Sequence, residues 1–390
     1  MGPLPTRLFT PRFFLMFGYS FTVFVSLFQL LPAAPYRILD LGGSTAVAGL
    51  FLGLLTYSSA LSAPLTGSLS DRIGHRRVLV GVSFLLAGFT ASYAFIGNYK
   101  VMLVVVFVHG FIWSGLLAAS SAYMTAIIPE SRRAEGLSYW GLASVLALGA
   151  APAIGFWVYR HGWFTLCAEL TALNLTMGLI ALQLPDDHAT PATDAQNPAN
   201  PAASGKGVEW RVLALSIGLA MISFGYGSLT SFSALFADDL GITPRSVFLI
   251  AMAIAILVSR LTIGRIVDRL GHRYVLTRAI IAPPIGLVIL AFAFGKTSFL
   301  IAALVFGAGF GLMHPAYSAY MMKHVAPSRR GAAFGAMLAA FDTGVGSGST
   351  VMGGLIHQWG FRPAFGVAAV LAALSLPYFL IAEKRIGFKS

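Results

Sequence analysis

Five ionisable side chains, His109, Glu169, Arg260, His314 and Asp342, stand inside long apolar stretches of this 390-residue chain. A charged group kept from water is costly, so such residues pair with one another, exchange a proton or meet a polar ligand. Asp342 is the leading candidate: an acid that one conformation shows to water and another does not can load and release a proton. His314 and Arg260 are candidates to tune it, and His109 can relay protons on its own account. The alternative for Asp342 is a static interhelical pair with no proton cycle. Glu169 sits near the outer end of its apolar stretch and is expected to snorkel or pack.

Those stretches define the elements that must position these groups. Hydrophobic residues make up 57% of the chain and charged residues 10%, against about 25% charge in soluble domains. A soluble fold of this length has too little polar surface here to cover it. Twelve apolar segments are each long enough to cross a hydrocarbon core of about 30 Å as a helix. They begin near residues 13, 46, 77, 101, 136, 163, 211, 244, 275, 298, 331 and 362. The first is too long for a cleaved signal and reads as a retained span. With the amino terminus in the cytoplasm, 19 of 26 Lys and Arg fall inside and six outside, leaving Arg260 within a span. That asymmetry places both termini inside. It also accounts for a net charge of +12 without a nucleic-acid partner. The expected fold is an all-α membrane protein of twelve transmembrane helices.

The segment 185–210 is rich in Pro, Ala and Asn and reads as a flexible cytoplasmic linker. It separates a six-helix bundle at 1–184 from a second at 211–390. The two match at a constant offset. Gly67-Ser-Leu-Ser-Asp71-Arg72-Ile-Gly74-His75-Arg76-Arg77 is echoed by Gly264-Arg-Ile-Val-Asp268-Arg269-Leu-Gly271-His272-Arg273, 197 residues later. Arg132-Arg133 and Arg329-Arg330 repeat at the same spacing. Two independent pairs at one offset indicate duplication, and parallel six-helix halves are one plan of secondary transporters. Asp71 ends a helix whose dipole disfavours an anion there, so it needs a cation or another helix's N-terminus nearby. Gly67, Gly74, Gly264 and Gly271 permit close packing and tight turns.

The doubled motif, twelve spans and central linker resemble the major facilitator superfamily over nearly the whole chain, specifically its twelve-helix drug or metabolite:proton efflux branch. The resemblance implies that Asp71 faces the start of span eleven and Asp268 faces span five. Together with Arg72, Arg76, Arg77, Arg269 and Arg273, they would form a cytoplasmic gate. His109 occupies the place where efflux members often carry an arginine. Gly149-Ala-Ala-Pro152-Ala-Ile-Gly155 in span five resembles an exporter motif, with Ala151 and Phe156 in place of two of its glycines. Gly344, Gly346, Gly348, Gly353 and Gly354 loosely correspond in span eleven; small residues at such spacings let helices approach or bend. Polar and aromatic residues expected to line a cavity are Gln29, Tyr57, Trp113, Tyr123, Tyr139, Trp140, Phe224, Tyr226, Tyr317 and Tyr320, which suit an amphipathic small molecule.

The expected function is proton-coupled export of such a molecule by alternating access, with a proton-coupled importer or facilitator as the alternative. A receptor or membrane enzyme on the same scaffold is remote: no nucleophile–base pair, H-E-x-x-H or phosphate loop occurs, and no sizeable soluble domain is present. The single Cys167 rules out an internal disulfide framework. No cofactor or metal is expected beyond the proton gradient. The expected partners are substrate, protons and lipid, for a functional monomer in a bacterial inner membrane.

Overall fold

The structure is a computed structural model that describes residues 7–186, 210–326 and 329–386, with side chains except at 134, 263–270 and 330–332. Fourteen α-helices and a short 3-10 helix, Glu130–Arg132, are described, with no strand among these residues. In the first half they are α1 (Pro11–Asp40), α2 (Thr45–Ile73), α3 (His75–Phe95), α4 (Tyr99–Ile127), α5 (Arg133–Tyr159) and α6 (Trp163–Gln183). In the second they are α7 (Trp210–Asp239), α8 (Val247–Leu270), α9 (His272–Ala279), α10 (Ala282–Ala291), α11 (Lys296–Lys323), α12 (Arg330–Trp359), α13 (Phe361–Ala373) and α14 (Ser375–Ile386). The expected linker falls almost wholly on 187–209, outside the described residues.

Polar residues begin several helices. Thr10 Oγ1 accepts from the Phe13 amide ahead of α1, whose first residue is Pro11, and Asn98 Oδ1 accepts from the Lys100 amide at α4. Gly74 and Gly271 close the α2–α3 and α8–α9 turns at φ +97° and +80°, where an L side chain is strained.

Two spans expected to be continuous are broken. Span nine is α9 and α10: Pro283 and Pro284 have no N–H to return to Ala279 and Ile280, so the ladder lapses there. Span twelve is α13 and α14, and Pro377 likewise cannot bond Ala373. Pro32, Pro35, Pro64, Pro152 and Pro315 instead remain inside α1, α2, α5 and α11. Among the described residues, ten spans are long and apolar enough to cross a membrane. The described apolar part of α8, Val247–Thr262, is shorter. α12 is diluted by Gly, Ser and Thr, as suits a helix packed against others rather than lipid.

Shifted by 197 residues, α1, α2, α4 and α5 fall on α7, α8, α11 and α12. The halves meet where α2 packs on α12, α5 on α8 and α1 on α7. The first two of these are the same contact under the repeat.

Candidate functional site

Asp342 lies twelve residues into the 30-residue α12, about 18 Å along its axis and so near mid-depth. It is half-buried, and among the described residues its carboxyl has neither a hydrogen bond nor an ion pair. Among those residues no static interhelical pair, its alternative role, is formed. The preceding Phe341 begins an aromatic wall: His314 of α11 meets it edge-on at 5.4 Å, and Phe310 and Tyr226 lie beyond at 6.3 Å each. Tyr226 of α7 stacks on Phe310 at 4.6 Å with rings 4° from parallel. Arg260 of α8 lies within electrostatic reach of both Tyr226 and His314. Its Nε is buried without a partner. Four helices of the second half thus bring an acid, a guanidinium, an imidazole and three aromatic rings to one level, with polar valences left for a ligand.

The other intramembrane groups are held inside the first half. His109 Nδ1 is 3.2 Å from Tyr93 Oη, and the ring stacks on Phe89 at 5.9 Å. With Ser26, Thr90, Trp113 and Asn174 it lines a cavity of about 10 Å³, room for about one water. That placement makes His109 a hydrogen-bonded residue of the bundle rather than a member of the Asp342 cluster. Gln29 is fully buried and donates to Glu169 Oε1 at 3.1 Å, so it is turned into the α1–α5–α6 packing and not toward a cavity. Gly155 allows this, because a Cβ there would lie 2.9 Å from Gln29 Cβ. Glu169 is accordingly paired inward rather than snorkelling.

Several further residues expected in a cavity are also taken up within one half. Tyr123 Oη donates to the Pro185 carbonyl at 3.0 Å, Trp140 Nε1 to Ser20 Oγ at 2.7 Å, and Tyr317 Oη to the Leu215 carbonyl. Trp113 packs edge-on to Phe24 at 5.9 Å, Tyr139 meets Phe9 at 5.2 Å, and the Phe224 backbone packs tightly on Gly348. Helical spacing alone does not distinguish a face turned to a sister helix from one turned to a cavity or outward: most of these residues found a neighbouring helix, Trp113 also borders the small His109 cavity, and Tyr139 is 42% exposed beside Phe9.

Tyr57 joins the halves: its hydroxyl is 2.7 Å from Ser347 Oγ. It belongs to a seal on the outer side. Ser349 Oγ donates to the Gly49 carbonyl at 2.8 Å; Gly49 and Gly353 let α2 and α12 touch backbone to backbone, and Gly53 and Gly346 make room for the Thr350 and Thr56 side chains of the opposite helix. A Cβ on Gly149 would meet the Ala253 Cβ of α8 at an ordinary 3.5 Å. Above this, Tyr36 of α1 donates to Asp238 of α7 at 2.9 Å. Arg245 bonds Asp238 at 2.8 Å and lies 4.7 Å over the Tyr36 ring. Tyr159 donates to Asp40 at 3.0 Å beside it. The three hydrogen bonds described here between the two halves lie between mid-depth and the outer end.

On the cytoplasmic side, Arg76 and Arg273 act within their own halves. Arg76 pairs with Asp186 at 2.7 Å and also bonds the Leu182 carbonyl, tying α3 to the end of α6. Arg273 forms a two-bond fork on Glu383, 2.8 Å each, tying α9 to α14, and Tyr320 also donates to Glu383. Asp186 and Glu383 are 197 residues apart, as are Tyr123 and Tyr320. The offset that revealed the repeat would have identified this clamp had it been applied to every polar residue. Asp71, Arg72 and Arg77 are exposed, and a Cβ on Gly67 would meet nothing within 4 Å. A Cβ on Gly136, the expected neighbour of Asp268, would meet Ile128 and Leu8 of its own half at 2.8 Å. The surroundings of Gly264 and the side chains of Asp268 and Arg269, and those at 330–332 where Asp71 is expected to face span eleven, lie outside the described residues.

Comparison with known proteins agrees with this architecture. The model of the Major Facilitator Superfamily matches residues 13–326 and 215–389. The MFS-type transporter YhhS of Escherichia coli K12 is 25% identical over 374 residues, covering 92% of this chain and 89% of that protein. Its Salmonella typhi counterpart is 25% identical over 369 residues with the same coverage. Among solved structures, the nucleoside transporter NupG superposes with a TM-score of 0.74 at 18% identity, covering 97% of this chain and 100% of that one. A bacterial homologue of the human lysosomal transporter Spinster, in an inward-facing and occupied conformation, gives 0.76 at 13%, covering 95% of each. The human organic anion transporter MFSD10 gives 0.70 at 16%, covering 95% and 100%. A matched family model over nearly the whole length, twelve spans in two repeated halves and a polar cluster at mid-depth lead to one conclusion: the chain is a multi-pass membrane transporter that belongs to the Major Facilitator Superfamily.

Proposed function

We propose that the protein exports a small amphipathic molecule in exchange for protons, with Asp342 as the coupling residue. The observation that carries this reading is the unpartnered Asp342 carboxyl at mid-depth, on the same helix as the outer seal. Gly346 is one turn beyond it and Gly353 three turns beyond, so a change of charge at Asp342 acts on the helix that must part from α2. With the outer side open, Asp342 takes a proton and substrate leaves; with it sealed, the proton departs inward and the next substrate binds. The rocking units are residues 1–184 and 211–390. Tyr226, Phe310 and Phe341 offer apolar faces, and Arg260, which has no carboxylate partner among the described residues, suits a substrate with an anionic or acceptor group. The nucleoside and organic-anion transporters of similar fold handle molecules of that general kind. The direction, outward, rests on the exporter-like span five.

A thermal-shift screen at about pH 6 and 8 identifies a stabilising ligand. Its flux is then measured in proteoliposomes with and without an imposed pH gradient. Asp342→Asn is expected to abolish gradient-driven accumulation while leaving substrate exchange. Full gradient-driven flux in Asp342→Asn refutes the assignment, and gradient-independent counterflow in the unmodified protein identifies a facilitator.

A further inference from the structure

Gln29 and Glu169 form a contact whose hydrogen bonds do not close. Gln29 Nε2 donates to Glu169 Oε1 at 3.1 Å, and this is the only hydrogen bond described for either side chain. The remaining oxygens, Gln29 Oε1 and Glu169 Oε2, are both buried and both lack a donor. Two orphaned acceptors on one bonded pair are expensive, since each forfeits its hydration without replacement. Exchanging the amide oxygen and nitrogen of Gln29 does not help: it sets an oxygen against Glu169 Oε1 and removes the one bond present. A single proton on Glu169 Oε2 resolves the accounting. The carboxylic acid then donates to the amide oxygen while accepting from the amide nitrogen, and the two planar groups close a ring of two hydrogen bonds.

The surroundings supply no alternative counter-charge. On α1, Tyr36, Arg37 and Asp40 lie toward the outer end; there Tyr36 is engaged by Asp238 and Arg37 by the Ile96 carbonyl. On α5, Tyr159 bonds Asp40 and Arg160 lies at the helix end. On α6, His161 precedes the helix and Cys167 is buried; on α3, which packs on α6, Tyr93 bonds His109 of α4, and His75, Arg76 and Arg77 stand at the cytoplasmic start. None of these is hydrogen-bonded or ion-paired to Glu169, whose one described partner is the Gln29 amide. Nor is the pair part of the repeated scaffold, because the positions 197 residues on are Tyr226 and Gly366.

We infer that Gln29 and Glu169 are a second proton-binding site, in the first half and separate from Asp342, at which Glu169 holds a proton while the outer side is sealed. The proton comes from water and returns to water; no other group is consumed. Its loss puts a carboxylate beside the amide oxygen in the α1–α5–α6 seam. That seam is held by the two helices that carry Tyr36, Tyr159 and Gly149 to the outer seal, so occupancy of the site favours the sealed state.

The site is read by infrared difference spectroscopy on the purified full-length protein during a pH titration, in parallel with Asp342→Asn. The expected result is a carboxylic-acid C=O band that fades as pH rises, persists in Asp342→Asn and is lost in Glu169→Gln. In Gln29→Leu the band moves, because its carbonyl loses the amide donor. This variant also serves as the test should Glu169→Gln not fold. A spectrum whose carboxylic-acid bands are all lost in Asp342→Asn, or are unmoved by both Glu169→Gln and Gln29→Leu, overturns the inference. Failure of Asp342 as the coupling residue leaves this readout unaffected.

Discussion

Gly353→Ala places one methyl group in the outer seal and should hold the two halves apart there. A Cβ at 353 would lie 2.7 Å from the Thr45 carbonyl oxygen, 3.1 Å from Gly49 Cα and 3.2 Å from the Ala46 carbonyl oxygen, where ordinary contact begins at 3.4 Å. All three atoms are backbone of α2, so relief requires α2 and α12 to part by about 0.7 Å, the difference between 3.4 and 2.7 Å. Overpacking of this kind costs about 1–3 kcal/mol. The gain in helix propensity, about 1 kcal/mol, applies in every conformation in which α12 is helical and cancels from the balance between them. The outer-sealed population should therefore fall about 5- to 150-fold relative to the open one. The assay is labelling of Ser347→Cys by a membrane-impermeant maleimide from outside, in a Cys167→Ala background that removes the one native thiol. Gly286→Ala is the matched control: its Cβ would lie 2.7 Å from the Phe306 amide nitrogen, but within the second half. It should lower thermal stability without raising labelling. Equal labelling of Gly353→Ala and the parent, or a rise in Gly286→Ala to the same level, refutes the assignment of this contact as the seal.

Further outcomes follow from neighbouring contacts. Tyr36→Phe and Asp238→Asn remove a hydrogen bond from the outer latch, and because Asp238 and Arg245 are partly exposed, each should shift the same labelling only a few-fold, about 0.5–1 kcal/mol. Arg273→Ala strips the forked partner from Glu383, whose side chain is 6% exposed, and should lower thermal stability by about 1–2 kcal/mol after discounting for the half-exposed arginine. Its counterpart Arg76→Ala should cost less, about 0–1 kcal/mol, because Asp186 is 60% exposed; equal losses in the two halves would show that burial of the acid is not what matters.

Much of the architecture was written in one dimension. Span length is set by bilayer thickness and orientation by where Lys and Arg fall, so helix starts such as 163 and 211 were legible to within a residue or two. The duplication was legible because both copies kept Asp-Arg-x-Gly-His-Arg at one offset. The breaks at Pro283 and Leu374 were less so: similar prolines at 32 and 152 stay inside intact helices, and only neighbouring helices decide whether a lost bond is tolerated.

Sequence alone also picked out the few intramembrane ionisable residues, because their cost in a membrane depends on residue type and position along a span. What each of them meets was decided by the tertiary structure. Asp342 and Arg260 remain without partners among the described residues, His109 finds Tyr93, and Glu169 finds Gln29 from 140 positions away. Arg76 and Arg273 prove to be clamps within each half; the glycines of α12, Gly353 among them, were legible as a place of close helix approach, but not their partners Gly49 and Thr45 on α2, nor the bonds of Tyr57 and Ser349 across the seal. The physical reason is direction: periodicity tells which residues share a helix face, but lipid, sister helix and cavity all accept small or aromatic side chains, and only the packed bundle assigns each face its neighbour.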